Sequence, residues 1–387
     1  MRKFQTAAAI LLAPATLTFA SCSAANSGDS DATSTPTPGD IPFEVTEMGA
    51  FEEPWALKFE PGTDRLFITE KAGTLKFLAA DGTVGTVSGV PAISYGGQGG
   101  FGDIAFAPDY ATSRNVYLSW VEDGEAPLRG AVIGLAKLGC SSATACALED
   151  LKVIWRQAPK VEGGGHFSHR IAFSPDGQYL FVGSGERAKG DPAQDLSNNL
   201  GKVLRLNLDG TPAAGNPFAD QGSPSNEIWS YGHRNIAGLL FDHEGKLWDL
   251  EHGPNGGDEI NLVKVNTNYG WPAVSGGDNY DNTPIPRHPT RPEFEAPAIM
   301  WNPVIAPGNF IQYTGSLFPE WKNELIAVGL RTQVFVRMKI EGETVREIAR
   351  YTLPGGRMRD IVQAPDGSIW IARDGPEAQI VKLTPAG

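Results

Sequence analysis

The stretch HRIAFSPDGQYLFVGSGE, His169 to Glu186, decides the fold class. It is an apolar run, a Ser-Pro-Asp-Gly turn, then a second run of alternating bulky residues. Proline presets the turn backbone, and glycine supplies the position that tolerates positive φ. Five further stretches repeat the pattern: WALKFEPGTDRLFITE from Trp55, GDIAFAPDYATSRNVYLSW from Gly102, AGLLFDHEGKLWDLEHGP from Ala237, TGSLFPEWKNELIAVGL from Thr314 and RDIVQAPDGSIWIARDGP from Arg359. One such hairpin cannot bury its own face, but copies stacked around an axis can. Six copies predict an all-β protein, a six-bladed β-propeller over residues 41–387; an irregular array of β-sandwiches accommodates them less well. Uneven spacing between copies leaves room for insertions on one face. In such an architecture ligands bind where loops from every blade converge, so functional residues are expected to be scattered near strand ends.

The composition agrees. Gly 46 and Pro 29 are spread through the body of the chain, as many short strands and tight turns require. A formal net charge of −13 argues against nucleic-acid binding, which needs a basic face, and suits neutral or cationic small molecules. The N-terminus departs from this pattern. MRKFQTAAAILLAPATLTFASC carries Arg2 and Lys3 ahead of an apolar stretch, which predicts a secretory signal over residues 1–21. Phe19-Ala20-Ser21-Cys22 resembles a bacterial lipobox, with Cys22 as the lipidated residue; cleavage near Ala24 or Ala25 is the alternative, because Phe replaces the usual Leu. Residues 22–40, rich in Ser, Thr, Pro, Gly and Asp, are expected to be a disordered tether between anchor and domain. Only Cys140 and Cys146 then remain. Their CSSATAC spacing can close a small disulfide loop in an oxidising compartment, the alternative being two free thiols. The expected protein is exported, a lipoprotein held to a membrane only through Cys22, and a monomer or dimer.

Four segments carry candidate chemistry. GGGHFSHR places His166 after glycines that let the backbone approach a ligand, and GSGERAKG puts Glu186 at the next strand end. A histidine–carboxylate pair at a channel mouth can serve as general base. Arg234, Arg331, Arg357 and Arg359 can converge on a polyanionic small ligand, because guanidinium forks match carboxylates and phosphates. Arg357 and Arg359, two apart, share a side if they lie on a strand. EHGPNGGDEINL, Glu251 to Leu262, offers oxygens without a His/Cys cluster: Gly253 and Pro254 carbonyls, with Asp258 and Glu259 carboxylates. That donor set favours a hard cation, calcium over zinc; a solvated acidic loop is the equal alternative.

Together these segments resemble the soluble quinoprotein glucose dehydrogenase and aldose sugar dehydrogenase family, six-bladed propellers that use pyrroloquinoline quinone (PQQ) and calcium. The resemblance runs from about Pro54 to Pro385. It is dense between His166 and Trp271, where GKVLRLNLDG, NPF, YGHRN, GPNGGDEINL and NYGWP occur in family order, and YGGQGGFGDIAFAPDY adds an early substrate-loop motif. It implies that His166 takes the proton of the sugar's anomeric hydroxyl as hydride passes to the quinone, giving a lactone. It implies that Arg234 lies against the reacting quinone carbonyls, that Asn235 hydrogen-bonds the cofactor, and that Arg331, Arg357 and Arg359 contact it. Gln98 matches a residue reaching the sugar hydroxyls. Gly253 and Pro254 match carbonyl ligands of a calcium at the cofactor; Glu259 and Tyr269, the latter through its backbone carbonyl, match a second, structural calcium. Electrons would leave to a quinone or dye-like acceptor. Three positions depart from the family: Arg331 for lysine, Ile236 for proline, and Gly165 for the aspartate of the glucose-specific enzymes. The long blade insertions of those enzymes are also missing, which makes the broader aldose sugar dehydrogenases the closer likeness. Two other functions fit the same architecture: a calcium-dependent propeller lactonase or esterase, which needs no arginine set, and a non-catalytic surface binding propeller.

Overall fold

The computed structural model describes residues 41–387; the expected signal, lipobox and tether lie outside the described residues. Strand β1 (Phe43–Phe51) comes first. A first antiparallel meander follows: β2 (Pro54–Phe59), β3 (Leu66–Glu70), β4 (Thr74–Leu78) and β5 (Val84–Ser88). The second is β6 (Phe101–Phe106), β7 (Asn115–Asp123), β8 (Arg129–Cys140) and β9 (Ala145–Arg156). The third is β10 (Ser168–Phe173), β11 (Tyr179–Ser184), β12 (Lys202–Asn207) and β13 (Ile228–Tyr231). The fourth is β14 (Ile236–Phe241), β15 (Leu247–Glu251), β16 (Asp258–Leu262) and β17 (Ile299–Trp301). The fifth is β18 (Pro307–Gln312), β19 (Leu325–Gly329), β20 (Val334–Glu341) and β21 (Thr344–Thr352). Last come β22 (Met358–Gln363), β23 (Ile369–Arg373) and β24 (Ala378–Pro385), and β1 adds to β24 as their fourth strand. The two ends of the domain thus share one sheet.

The repeat follows from local chemistry. At Ser174–Gln178 the Gly177 N–H closes on the Ser174 carbonyl at 2.8 Å, Gly177 sits at φ 69°, and Asp176 Oδ1 accepts the Gln178 N–H at 3.0 Å. The second strands β3, β15, β19 and β23 are buried at every residue, so their polar side chains as well as their apolar ones are out of water. Six clusters of buried apolar side chains fill the spaces between meanders, each shared by two neighbours. The first strands touch in sequence, β2 to β6, β10, β14, β18, β22 and back to β2. That makes a closed ring.

The fifth copy differs from its expected register. Its first strand is β18, not the run from Thr314; Leu317, Phe318 and Trp321 lie in the connection to β19, with Phe318 and Trp321 stacked at 4.1 Å. They are apolar because they fill the cluster between the fifth and sixth meanders, not because they form a strand. Parallel pairing of β5 with β9, from Thr86↔Ala145 to Ser88↔Ala147, fuses the first two meanders into one eight-stranded sheet. At the β8–β9 hairpin Cys140 and Cys146 face each other and are disulfide-bonded.

One irregularity recurs in all six meanders. The pairing of first with second strand shifts register near the start of the first strand: at Pro54/Ala56, Phe101/Ile104, Ser168/Ile171, Ile236/Gly238, Pro307/Asn309 and Met358/Asp360. A bulge bends a strand and re-aims the side chain beside it. Six bulges at one end of the ring re-aim six sets of residues there.

Candidate active site

That end of the ring holds a cavity of about 410 Å3, lined by Trp55, Arg170, Ala237, Gly308 and Arg359 from the bulges, with loop residues above them. The volume suits a small organic ligand, whose sites run from about 300 to 1,000 Å3. Its deep wall is Arg170. The guanidinium lies 4.1 Å from the Trp55 ring, and Nε donates to the Ala237 carbonyl at 2.6 Å and Nη2 to that of Gly308 at 3.2 Å. Asp103 and Asp360 stand 3.8 and 3.5 Å away. Arg170 also lines a second cavity of about 340 Å3 between the same first strands, so it separates the two. The His169 ring also stacks on Trp55, at 5.2 Å; burial, with Arg170 beside it, pushes this imidazole down to about 3 and keeps it neutral.

His166 lies in the connection to β10 at φ 47°, a left-handed conformation. Its N–H donates to Gln98 Oε1 at 2.8 Å, and the Gln98 N–H donates to the Gly164 carbonyl at 2.7 Å, so the two loops hold each other. The expected contact with Glu186 is formed: His166 Nδ1 bonds Glu186 Oε1. Glu186 is buried and its other oxygen accepts the N–H groups of Lys189 and Gly190. Burial works against its charge, but the His166 contact and these amides outweigh it and hold the carboxyl below the usual range. Since Nδ1 is taken, Nε2 is the nitrogen left for the cavity.

Arg234 and Asn235 occupy the short link from β13 to β14. The Arg234 backbone is fixed on both sides: its N–H donates to Glu251 Oε2 at 2.6 Å, and its carbonyl accepts the Glu186 N–H at 3.0 Å. Its side chain donates to the His252 carbonyl at 3.0 Å and to the Tyr280 hydroxyl at 3.3 Å, and its guanidinium lies 5.0 Å from the Trp271 ring. Nε is buried with no partner among the described residues. Ser168 Oγ accepts the Ile236 N–H at 2.7 Å and donates to Asn235 Oδ1 at 3.3 Å. A proline at 236 would remove that N–H, so the departure at Ile236 has a use here.

Arg357 and Arg359 face the cavity from the same side and share Asp374, at 2.7 and 2.8 Å. Burial raises the Asp374 carboxyl, but the two guanidiniums together bring it below its ordinary value. Two cations on one anion leave the wall positive, and Arg234 adds a third. His252 registers this field: burial, then Arg234 and Arg359, push its imidazole down to about 3. Arg331 does not join them. It is exposed in the connection from β19 to β20, and its neighbour Leu330 lines the cavity instead.

The loop between β15 and β16 is held by Asp258, whose carboxylate accepts the Gly253 N–H at 2.8 Å and the Ala306 N–H at 2.6 Å. Asp258, which the sequence offers as a carboxylate for a cation, uses both oxygens to fasten the loop. Gly253 lines the main cavity, and no hydrogen bond to the Gly253 or Pro254 carbonyl is formed among the described residues. Pro254, Glu259 and Tyr269 line a small adjoining cavity of about 10 Å3, together with Arg234 and Gly253. Behind it is a group of residues that sequence reading missed. His233 Nδ1 lies 2.6 Å from Glu251 and 3.1 Å from Asp249, and its Nε2 bonds Ser230 Oγ at 2.8 Å. Asn261 donates to Asp249 and Glu259 at 3.0 and 3.2 Å, while its own Oδ1 is buried without a partner among the described residues. Two carboxylates contact one imidazole, and Glu259 stands beside them through Asn261. Burial and mutual repulsion push Asp249 up to about 7 and Glu259 up to about 8, whereas Glu251 and Asp249 overcome burial to raise His233 to about 9.

Known proteins share this construction. Residues 51–382 match the family described as Glucose / Sorbosone dehydrogenase. Aldose sugar dehydrogenase YliI of Escherichia coli (strain K12) is 35% identical over 355 residues, 90% of this chain and 94% of the relative. The crystal structure of the soluble aldose sugar dehydrogenase from Escherichia coli in its apo-form superposes with a TM-score of 0.83 at 34% identity, covering 89% of this chain and 100% of that one. The PQQ-bound form of the aldose sugar dehydrogenase from Streptomyces coelicolor gives 0.70 at 27% identity, with 88% and 98% covered. With nearly the whole described chain matched in sequence and in fold, the chain belongs to the Glucose / Sorbosone dehydrogenase family.

Proposed function

We propose that this chain is an exported aldose sugar dehydrogenase, a six-bladed β-propeller that uses PQQ and calcium to oxidise the anomeric carbon of aldoses to lactones. The observation that carries this reading is one cavity holding both a histidine with a free Nε2 and a three-arginine wall. The closed ring of six first strands supports the propeller, and the Cys140–Cys146 bond supports an oxidising compartment.

The residues present fit the cofactor and the ion. A tricarboxylate needs more positive charge than Asp374 removes, and the orphaned Arg234 Nε is a buried donor in want of an acceptor. Among the described residues the Gly253 and Pro254 carbonyls accept no hydrogen bond, which leaves their lone pairs available to a hard cation. Buried Asp249 and Glu251, with half-buried Glu259 beside them, exceed one imidazolium, and a divalent cation would relieve the excess. Arg234, Asn235, Arg357 and Arg359 would hold the quinone; Gly253 and Pro254 would ligate one calcium, and Glu259 and Tyr269 a second. Bound quinone supplies a two-electron acceptor for hydride from the sugar.

The chain's own residues do the rest. Glu186 fixes the His166 ring through Nδ1, which leaves Nε2 to accept the hydroxyl proton as the C–H bond weakens. Gln98 holds the His166 backbone and stands beside Gly165, where an added Cβ would lie 3.6 Å from Ala188 and 3.8 Å from Gln98, ordinary contact distances. The arginines place positive charge where negative charge develops. A lipid anchor on Cys22 would hold the domain to a membrane through the 22–40 tether. Purified protein reconstituted with PQQ and calcium is expected to bind the quinone in an absorbance titration and to reduce dye when aldose is added. Absence of both, or lactone hydrolysis without quinone, overturns the reading.

A further inference from the structure

Tyr280 is 75% exposed, yet it lines the active cavity. An aromatic ring left in water at the rim of a pocket forgoes its own burial, and here its position is firmly built. Asn255 and Asp278 exchange backbone hydrogen bonds at 2.9 and 3.2 Å, which ties this segment to the Gly253–Pro254 loop. Asn279 and Thr283 close a tight turn around it, with Asn282 at φ 67° bonding the Asn279 carbonyl at 2.9 Å. Arg287 clamps the base of the turn through Asp278 at 2.7 Å. The turn thus presents the Tyr280 ring to the cavity, where its hydroxyl accepts from Arg234 and its ring lies 5.9 Å from that guanidinium.

We propose that the Tyr280 ring is a specificity-determining wall of the sugar subsite, packing against the C–H face of a pyranose whose anomeric hydroxyl is directed to His166. This rests on the dehydrogenase reading. A sugar ring offers hydroxyls at its edge and C–H bonds on its faces, and a half-wetted tyrosine matches that division: flat apolar surface for the face, a polar tip engaged with Arg234. The edge hydroxyls would meet Gln98 and Lys71, whose ammonium lines the same cavity and donates to the Gly97 carbonyl at 2.8 Å. A ring-form aldose is therefore selected over an open-chain polyol, which has no flat face to offer.

The test compares Tyr280→Ala and Tyr280→Phe with the parent protein, loaded with PQQ and calcium. Tyr280→Ala is expected to raise KM for glucose about tenfold with kcat within about threefold. Tyr280→Phe, which loses only the hydroxyl contact with Arg234, is expected to stay within about twofold on both. Quinone affinity by absorbance titration and Tm should be unchanged in both variants. Unchanged KM for glucose in Tyr280→Ala overturns the proposal. So does weakened quinone binding, which makes the ring a cofactor cover, or a shift confined to KM for the dye, which makes it an acceptor contact. A second readout stands apart from turnover: calorimetric titration of protein without quinone by methyl glucoside, whose blocked anomeric oxygen prevents reaction. Binding by the parent and its loss in Tyr280→Ala supports the subsite even if the parent proves no dehydrogenase; equal binding, or none by the parent, overturns it.

Discussion

Two histidine–carboxylate pairs flank the Arg234 backbone, and they are built for opposite ends. His166 meets Glu186 through Nδ1 and keeps Nε2 for the cavity. His233 has both nitrogens engaged, one by Glu251 and Asp249, the other by Ser230, and is wholly buried. Arg234 connects them, its carbonyl accepting from Glu186 and its N–H donating to Glu251. On the proposed reading, the same two residue types make a base where one nitrogen is free and a structural strut where none is. Exposure of a single ring nitrogen, rather than pairing with a carboxylate, separates catalysis from support.

Breaking the first pair should produce the largest change. Replacing His166 by Ala is expected to lower kcat by about 10² to 10⁴, the range of general base catalysis, with quinone affinity by absorbance titration nearly unaltered. Glu186→Gln retains the shape of the partner but loses its charge, and a decrease in kcat of about tenfold with an altered pH profile is expected. Equal loss of quinone binding in His166→Ala would mean that the ring holds cofactor rather than a proton.

Breaking the second pair should cost stability rather than chemistry. His233→Ala leaves Asp249 and Glu251 facing each other without a counter-charge, which is expected to destabilise by about 3 to 5 kcal/mol in the quinone- and metal-free protein. Denaturant unfolding measures it. With ligands restored, kcat should change far less than in His166→Ala. A variant that unfolds normally but fails to turn over would erase the contrast between the two pairs.

The second pair also makes the metal-free protein pH-sensitive. His233 rises to about 9 from 6.5, and Asp249 to about 7 from 3.8, so both bind protons more tightly folded than unfolded. Stability is therefore fully present below the unfolded values. It is expected to fall as pH climbs from about 4 through 7 for Asp249, and from about 6.5 through 9 for His233. Calcium should offset the loss, raising Tm more near pH 9 than near pH 6, because its carboxylate ligands must be ionised to bind. A calcium shift of equal size at both values would place the ion away from these carboxylates.

Much of this contrast was legible in the sequence, and the remainder was hidden for identifiable reasons. Pro-Asp-Gly turns reveal hairpins because the turn residues act locally, and His166, Glu186, Arg234, Arg357 and Arg359 stand at the predicted strand ends. The fifth copy misled because buried aromatics such as Phe318 and Trp321 look the same in a packed connection as in a strand. Trp55, His169 and Arg170 were not singled out, although each sits at a strand start. A bulge, which no single-residue preference announces, re-aims them inward. His233, Asp249 and Asn261 escaped notice because they are meaningful only together, across β15, β16 and the link after β13. Asp374 likewise matters only beside two arginines that precede it by 15 and 17 residues.

Arg331 makes the smallest and sharpest test of what position adds to charge. Four arginines looked equivalent in the sequence; the fold collects three and leaves the fourth exposed outside the cavity wall. Arg359 reaches the cavity from a bulged first strand, with Asp374 limiting its freedom, so its guanidinium is pre-oriented for a carboxylate. Arg331 would have to be brought in from solvent and ordered, giving up rotamer freedom that a fixed arginine has already lost on folding. Arg359→Ala is accordingly expected to weaken quinone binding about tenfold or more, and Arg331→Ala by no more than about twofold. Both are read from the same absorbance titration at one ionic strength. Were Arg331→Ala to match Arg359→Ala, the connection between β19 and β20 would have to close over bound ligand, and the positive wall would be completed by the ligand rather than by the fold.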